Sequence, residues 1–592
     1  MGISVTGDVY EADVIVIGSG AAGIRAAIAA SDGGARVMML TKGRLCQTGS
    51  TFYPLTPGWG VSAATGLADP SDSIEAHYED IIAAAQGMCD PGLARILATE
   101  APVRLKELEE MGILIRPVEG CHCFNRKPRS VMAYDMSNIK KVLGDEVRRR
   151  GVTVIEGCRA TSIILEEGEC AGVRGVMGVM GGDPGGGQPV KRPAMQSVAQ
   201  PITVYAPAVI LATGGGGGLF KYNLTTRDVA GDGYALALRA GATLTNMEFI
   251  QMSFGMVAPV WSALFTEQFF EYQPRLVNGE GEEFIERYLP RETYLEYCYL
   301  RKTHAPYTVT DPSSAIDRAI FSEILAGRGT ERGGIIVDFS HVPRSELESG
   351  PLGGWLRWMK RLGADLYEDR VEIAPFVQAF NGGVVIDEQC QTTVPGLFAC
   401  GEVAAGPHGA DRLGGNMMAS TMVFGARAGS FAAQRAKVAK IAKAKRRVGA
   451  SRTTQTDSAG PAAPAGTPGR SGSGDAALPA GAVASGLVEE LRQMMSLSAN
   501  VIRDEEGLRR GLERIEALKR EYGLAPEGPV EDAGAGTSAG DPALLDLLNA
   551  LLVDKVILEA ALLRRESRGG HFRSDYPTRN DTEFGTRLEV RI

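Results

Sequence analysis

No stretch of eighteen or more apolar residues occurs in this chain of 592 residues, so no membrane-spanning helix is expected. There is no excess of positive charge either. Lys and Arg number 62 and Asp and Glu 71, a net charge of −9, which argues against nucleic acid or an anionic membrane as a general partner. The nine cysteines form no Cys-x-x-Cys pair. Their tightest cluster, Cys121-His122-Cys123, lacks the second half of a zinc or iron–sulfur pattern. No metal site is therefore expected, and the cysteines read as reduced thiols of a cytoplasmic protein. Residues 1–10 have neither a basic region nor an apolar core, so they do not read as a signal peptide. No internal repeat of solenoid length stands out. The composition, 44% apolar and 22% charged, is that of a globular protein, and the length suffices for roughly two to four domains.

Near the N-terminus, the apolar run Val14-Ile15-Val16-Ile17 leads directly into Gly18-Ser19-Gly20-Ala21-Ala22-Gly23 and a run of small residues. A continuous apolar run reads as a buried parallel strand. Gly18 permits a tight turn, Gly20 lets the backbone approach a pyrophosphate, and Gly23 lets helix and strand pack closely. The N–H groups and dipole of the new helix then face the phosphates. This strand–turn–helix context identifies a dinucleotide-binding unit over residues 12–42. Its second strand ends in Thr41-Lys42, without the acidic residue that usually holds ribose hydroxyls, which weakens a simple nicotinamide reading.

A Gly- and Thr-rich loop follows at 48–66, then helical patterns at 71–86 and 91–111. Residues 204–212 form a further buried strand ending in Thr213-Gly214-Gly215. Segment 241–365 is richer in aromatic and charged residues and reads as an inserted domain. Strand character returns at 382–386 and 396–402, and 414–436 is a small-residue helix suited to packing under a cofactor. Residues 437–486 begin basic and become Ala/Gly/Pro/Ser/Thr-rich, a composition that buries too little apolar surface to order itself; 525–540 is similar. Amphipathic helices are expected at 487–518 and 542–565.

Several motifs, in order, resemble those of the flavoprotein subunits of succinate dehydrogenase and fumarate reductase, together with L-aspartate oxidase. They are the Gly18–Gly23 turn, Thr41-Lys42-Gly43, Gly49-Ser50-Thr51-Phe52-Tyr53, Ala212-Thr213-Gly214-Gly215, Gly231-Asp232-Gly233, Thr266-Glu267, Gly401-Glu402, His408-Gly409-Ala410-Asp411-Arg412 running to Asn416, and Glu566-Ser567-Arg568-Gly569-Gly570-His571. The resemblance implies an α/β fold: a Rossmann-like FAD-binding domain (1–240 and 366–436) interrupted by an α+β capping domain (241–365), then a low-complexity linker (437–486) and a C-terminal helical domain (487–592). It also implies FAD. Gly18, Ser19, Gly20, Ala22 and Gly23 would cradle the diphosphate, and Lys42, beside Thr41, would line the flavin side with Ser50 and Thr51. Thr213, Gly214, Asp232 and Glu402 match cofactor-contacting motifs, and Asn416 and Met417 would lie near the isoalloxazine. Ser50 stands where the respiratory enzymes carry a histidine covalently joined to the flavin. Serine cannot make that bond, so non-covalent FAD is implied, as in L-aspartate oxidase.

The family chemistry is hydride transfer between the flavin and a carbon next to a carboxylate, which needs cations, donors and a proton shuttle. Arg412 is kept and would grip one carboxylate; Thr266 and Glu267 are kept, and His408 aligns with a family histidine near the flavin. Two other family histidines are replaced by Ser253 and Gln378, and the arginine that delivers the proton by Ser313. Arg275, Arg318 and Tyr272 are nearby substitutes by sequence, Asp411 a possible acidic partner for Arg412, and His122 a possible donor. Loss of a general acid alone costs roughly 10² to 10⁴ in rate. A retuned site is therefore expected, less cationic and lined by Met252, Phe254, Met256, Phe270 and Phe380, with succinate, fumarate and L-aspartate as poor substrates. Three readings follow: an oxidoreductase acting on an organic acid or related small molecule, a flavoprotein passing electrons to an Fe–S subunit, and an L-aspartate oxidase. A nicotinamide-linked reductase is less well supported, since no second Gly-x-Gly-x-x-Gly unit occurs. Oligomerisation is left open.

Overall fold

The computed structural model describes residues 8–53, 55, 58–118, 123–178, 200–302, 306–350, 352–453, 479, 481–528 and 541–592, with the backbone alone for 442–453. Five parallel strands form a sheet in the spatial order Leu397–Ala399, Val209–Leu211, Val14–Ile17, Val37–Thr41, Thr153–Glu156. The four strands from Leu397–Ala399 to Val37–Thr41 are buried apolar runs, as a sheet covered on both faces requires. The winding direction reverses beside Val14–Ile17, and the crevice at the carboxyl ends of strands at such a switch point is where open α/β sheets bind ligands.

Helix Ala21–Asp32 leaves the first strand at that crevice and packs along helix Asn416–Thr453. Glycines let the two backbones meet. A Cβ on Gly429 would fall 2.2 Å from Ala26 O, and one on Gly425 2.9 Å from Ala22 O. The long helix continues to Thr453, past residue 436, where a linker was expected to begin. The stretch after 436 is rich in Lys, Ala and Arg, strong helix formers, and that local propensity extends the helix. Of the rest of that low-complexity segment, 454–478 and 480 lie outside the described residues and 482–486 belong to the helix Ala482–Ser498; the Gly-rich stretch 179–199 and residues 529–540 also lie outside the described residues.

A second, antiparallel sheet has the order Ile250–Ala258, Glu372–Phe380, Ile335–Asp338, Arg275–Val277. Its Glu372–Phe380 strand lies past position 365, so this sheet draws on both segments that the sequence reading separated. One irregularity in it matters for the site. Gln251 pairs with Ala379 and Met252 with Val377, which leaves Gln378 as the extra residue of a β-bulge. Helices Ala482–Ser498, Glu505–Tyr522 and Pro542–Leu563 pack together as a C-terminal unit. Among the described residues no helix is long and apolar enough to cross a membrane.

Candidate active site

The Gly18 turn opens onto a cavity of about 590 Å³ that extends to Arg412 and the bulged residue Gln378. Gly18 has φ +108°, and a Cβ there would lie 2.3 Å from Ala212 O, so the turn requires glycine. Gly23 is not on the cavity wall. A Cβ on it would meet Gly18 O at 2.0 Å, so it serves the helix–strand packing instead. Gly20 caps the helix without a side chain, and Thr51 Oγ1 accepts the Ala21 N–H at 3.1 Å. The N–H groups of Ala22 and Gly23 have no intrahelical acceptor, as in any first helical turn. Ser19 and Thr41 share a hydroxyl hydrogen bond of 2.8 Å on the same wall.

Two more wall residues carry buried hydroxyls with no partner among the described residues, Ser50 Oγ and Thr213 Oγ1. Such orphans in a groove that starts at a helix N-terminus suit a long ligand with a diphosphate and many acceptor atoms. The residues present therefore fit FAD.

Lys42 and Arg159 both reach Asp232 on that wall. Lys42 Nζ lies 2.5 Å from Asp232 Oδ2, Arg159 Nη2 lies 2.6 Å from Oδ1, and Asn549 Nδ2 adds a bond of 2.7 Å. Burial pushes the Asp232 carboxyl up, but Arg159 and Lys42 outweigh it and hold the group well below the usual carboxylate range. Glu402 lines the cavity with Oε1 accepting the Phe380 N–H at 3.0 Å, and burial raises its pKa. Gly214 and Met417 also line the cavity. Asn416 does not; its Oδ1 pairs with His77 Nε2 at 2.9 Å.

Arg412 is 7% exposed. Its Nε donates to Gln251 Oε1 at 2.8 Å and Nη1 to Leu413 O at 2.9 Å, while Gln251 Nε2 donates back to Arg412 O at 3.2 Å. Among the described residues Nη2 has no hydrogen-bond partner, and no carboxylate pairs with the guanidinium. Asp411, expected as a possible acidic partner, instead accepts from Gln86 Nε2 at 2.8 Å and Thr308 Oγ1 at 2.7 Å. Burial lifts the Asp411 pKa to about 7. Asp411 is fully buried among these partners.

Strand alternation also redirects the expected apolar lining. Gln251 and Ser253 lie on one face of Ile250–Ala258, and Met252, Phe254 and Met256 on the other. None of Met252, Phe254, Met256, Phe270 and Phe380 is on the cavity wall; Phe254 and Phe270 pack at 5.6 Å in the core of the second sheet. The apolar wall residues near Gln378 are Leu224 and Leu264, with Pro306. Ser253 Oγ donates to Gln378 Oε1 at 3.1 Å, so the two histidine replacements pair with each other.

Of the expected catalytic set only Arg412 reaches the cavity. His408 is buried against helix Asn416–Thr453, with Nε2 3.3 Å from Ser420 Oγ; burial and the Arg412 charge pull its pKa down to about 3, so it is neutral and braces its loop. Thr266 caps the short 3₁₀ turn Glu267–Tyr272, and neither Thr266, Glu267 nor Tyr272 lines the cavity. Arg275 pairs with Asp338, and Arg318 bonds Ser314 Oγ at 2.9 Å, away from the wall. Ser313 is fully buried. Cys121 and His122 lie outside the described residues, whereas Cys123 does line the cavity. Sequence reasoning missed Gln251 as the holder of Arg412 and Arg159 as the second cation on Asp232. The first signal was available: a glutamine at an inward strand position, where an apolar residue is the norm.

The relatives agree with this architecture. A family model described as FAD binding domain matches residues 13–418, and one described as fumarate reductase flavoprotein C-term matches 488–590. One polypeptide of the fumarate reductase (CoM/CoB) from Methanothermobacter marburgensis is 33% identical, over 96% of this chain and 95% of that one. An L-aspartate oxidase from Streptomyces coelicolor is 30% identical, over 98% of this chain and 91% of that one. The solved structure of Mycobacterium smegmatis Sdh1 in complex with UQ1 superposes with a TM-score of 0.74 at 29% identity, covering 99% of this chain and 92% of that one. The cradle at Gly18, the cavity it opens and the match along both segments place this chain in the family of FAD-dependent oxidoreductases that includes the fumarate reductase and succinate dehydrogenase flavoproteins and the L-aspartate oxidases.

Proposed function

We propose that this flavoprotein oxidises or reduces a small organic acid whose carboxylate is held by Arg412. The observation that carries this reading is a buried guanidinium, in no ion pair among the described residues, on the wall of the cavity that begins at the FAD cradle. A buried cation in such a place calls for an anion, and the planar fork of arginine suits a carboxylate. When bound, FAD supplies the two-electron acceptor or donor for hydride exchange with a carbon of that acid. Gln251 orients the guanidinium from behind, and His408 and Ser420 fix the loop that carries it. The cofactor is held non-covalently, with Ser50 Oγ as a hydrogen-bonding group. Protein closure over Leu224, Leu264 and Pro306 would keep water from the reacting carbon.

A second reading is that electrons continue to an Fe–S subunit. It is favoured by the naming of relatives as subunits, among them a fumarate reductase flavoprotein subunit of Mycobacterium tuberculosis. We place the activity in the cytoplasm. The test is anaerobic bleaching of the visible flavin band by a panel of organic acids, with Arg412→Gln alongside. The reading predicts bleaching of the wild-type protein, or reoxidation of its reduced form, by at least one carboxylate, with loss of about 10² or more in the variant. A response that is the same in Arg412→Gln rejects it.

A further inference from the structure

We infer that the substrate carries a single carboxylate and, at its other end, a neutral carbonyl group such as an amide, an ester or a ketone. This rests on the assignment of Arg412 as the carboxylate grip and adds the identity of the opposite anchor, Gln378.

Among the described residues three cations line the cavity: Lys42, Arg159 and Arg412. The first two are both committed to Asp232. Arg412 alone among them lacks a carboxylate partner within the described residues. Among the described residues the cavity thus offers one cation without an ion-pair partner for an acid. No described cation is left to meet a second carboxylate, whose desolvation would go uncompensated, which disfavours a dicarboxylate.

Gln378 supplies what stands at the other end. It is the unpaired residue of the bulge between Ile250–Ala258 and Glu372–Phe380, and a bulge re-aims a side chain out of the ladder pattern. Its Oε1 is taken by the Ser253 hydroxyl at 3.1 Å, which turns the Nε2 amide group away from Ser253. Gln378 is on the cavity wall, and its Nε2 has no partner among the described residues. A neutral N–H donor facing a cavity matches a carbonyl oxygen.

The two anchors are tied to one strand face. Gln251 holds Arg412 and Ser253 holds Gln378. Monoamides and monoesters of four-carbon unsaturated diacids, and 4-oxo acids, carry this pair of groups.

The test is equilibrium binding to the oxidised holoprotein, by calorimetry and by perturbation of the flavin spectrum. Three probes are compared: monomethyl fumarate, fumarate and crotonate, which keeps one carboxylate and lacks the carbonyl. Monomethyl fumarate should bind at least about tenfold tighter than either of the others. Gln378→Leu should bring it down to the level of crotonate while leaving crotonate within about twofold. Ser253→Ala, which frees the amide to rotate, should erode the same preference in part. Flavin content and melting temperature show whether each variant is folded. Equal or tighter binding of fumarate overturns the inference and leaves Arg412 as the acid grip. An unchanged ratio of monomethyl fumarate to crotonate in Gln378→Leu overturns it as well. If Arg412→Gln binds all three probes as the wild type does, the underlying reading of Arg412 fails and this inference falls with it.

Discussion

Gln251→Glu would place a carboxylate where the side-chain amide now accepts from Arg412 Nε at 2.8 Å. Gln251 is fully buried, so the new charge could not turn to solvent, and the guanidinium would become half of an internal ion pair. At an effective dielectric of about 20, two opposite charges at contact attract by about 4 kcal/mol, and a bound substrate carboxylate would have to compete with that. Affinity for any carboxylate should fall by about two to three powers of ten. Gln251→Leu separates charge from orientation. It removes a hydrogen bond to a charged group, worth about 1.5–3 kcal/mol, yet leaves Arg412 cationic, so the loss should be about 10-fold to 100-fold. The assay is titration of the flavin spectrum with an acid that perturbs it in the wild-type protein. Both variants should retain FAD, because Gln251 is not on the cavity wall. Retention of wild-type affinity within about twofold by Gln251→Glu would refute the claim that the free charge of Arg412 is what binds the acid.

Acid precipitation should release all yellow colour into the supernatant, since Ser50 offers no nucleophile for a covalent flavin bond; colour in the pellet would contradict this. Gly429→Leu should destabilise the fold by about 1–3 kcal/mol and weaken FAD retention, because even a Cβ there meets Ala26 O at 2.2 Å; chemical denaturation checks it. Asp411 titrates near 7 in the folded protein against an ordinary 3.8, so the folded state keeps a proton that the unfolded state has lost, and this contribution to stability disappears as pH rises from about 4 to about 7. The gap corresponds to about 4 kcal/mol. Asp411→Asn should therefore flatten the fall in melting temperature between pH 5 and pH 8 by a few degrees, and an unchanged profile would show that Asp411 is ionised at neutral pH.

The cofactor half of the molecule was legible because its chemistry uses backbone. Gly18 and Gly23 are required by close approaches of main chain, and such requirements leave a fixed spacing in the sequence. The substrate half uses side chains brought together from distant segments, and there the reading was uneven. Arg412 was found because it sits within a motif. The expected lining by Met252, Phe254 and Met256 failed because a strand presents alternate residues to opposite faces, and the sequence alone did not say which face was the cavity. Gln378 was noted as a substitution, but its contact with Ser253 depends on a one-residue bulge, and a bulge leaves no local signature. The helical extension to Thr453 was missed because a polar, Ala- and Lys-rich run can be a solvated helix as readily as a linker.

The C-terminal motif bears on the site through a chain of buried polar contacts. Arg568 is bidentate on Glu566 at 2.7 and 2.9 Å, and Arg564 joins the same carboxylate at 2.8 Å and Glu248 at 2.5 Å. All four side chains are fully buried, where replacing ions by well-packed apolar groups is often neutral or stabilising. Stability alone is thus a poor reason for this arrangement. Its geometry supplies a better one. Arg568 Nη1 donates to Gln86 O at 2.7 Å, and Gln86 Nε2 donates to Asp411, the residue before Arg412. Glu248 lies two residues before the strand that carries Gln251 and Ser253. The network therefore ties down both the loop bearing the guanidinium and the strand bearing its holder, two pieces of chain separated by about 160 residues in sequence. A shift of either by a fraction of an ångström would change how Arg412 meets an acid, and directional buried ion pairs resist such a shift better than apolar packing, which tolerates repacking at constant volume.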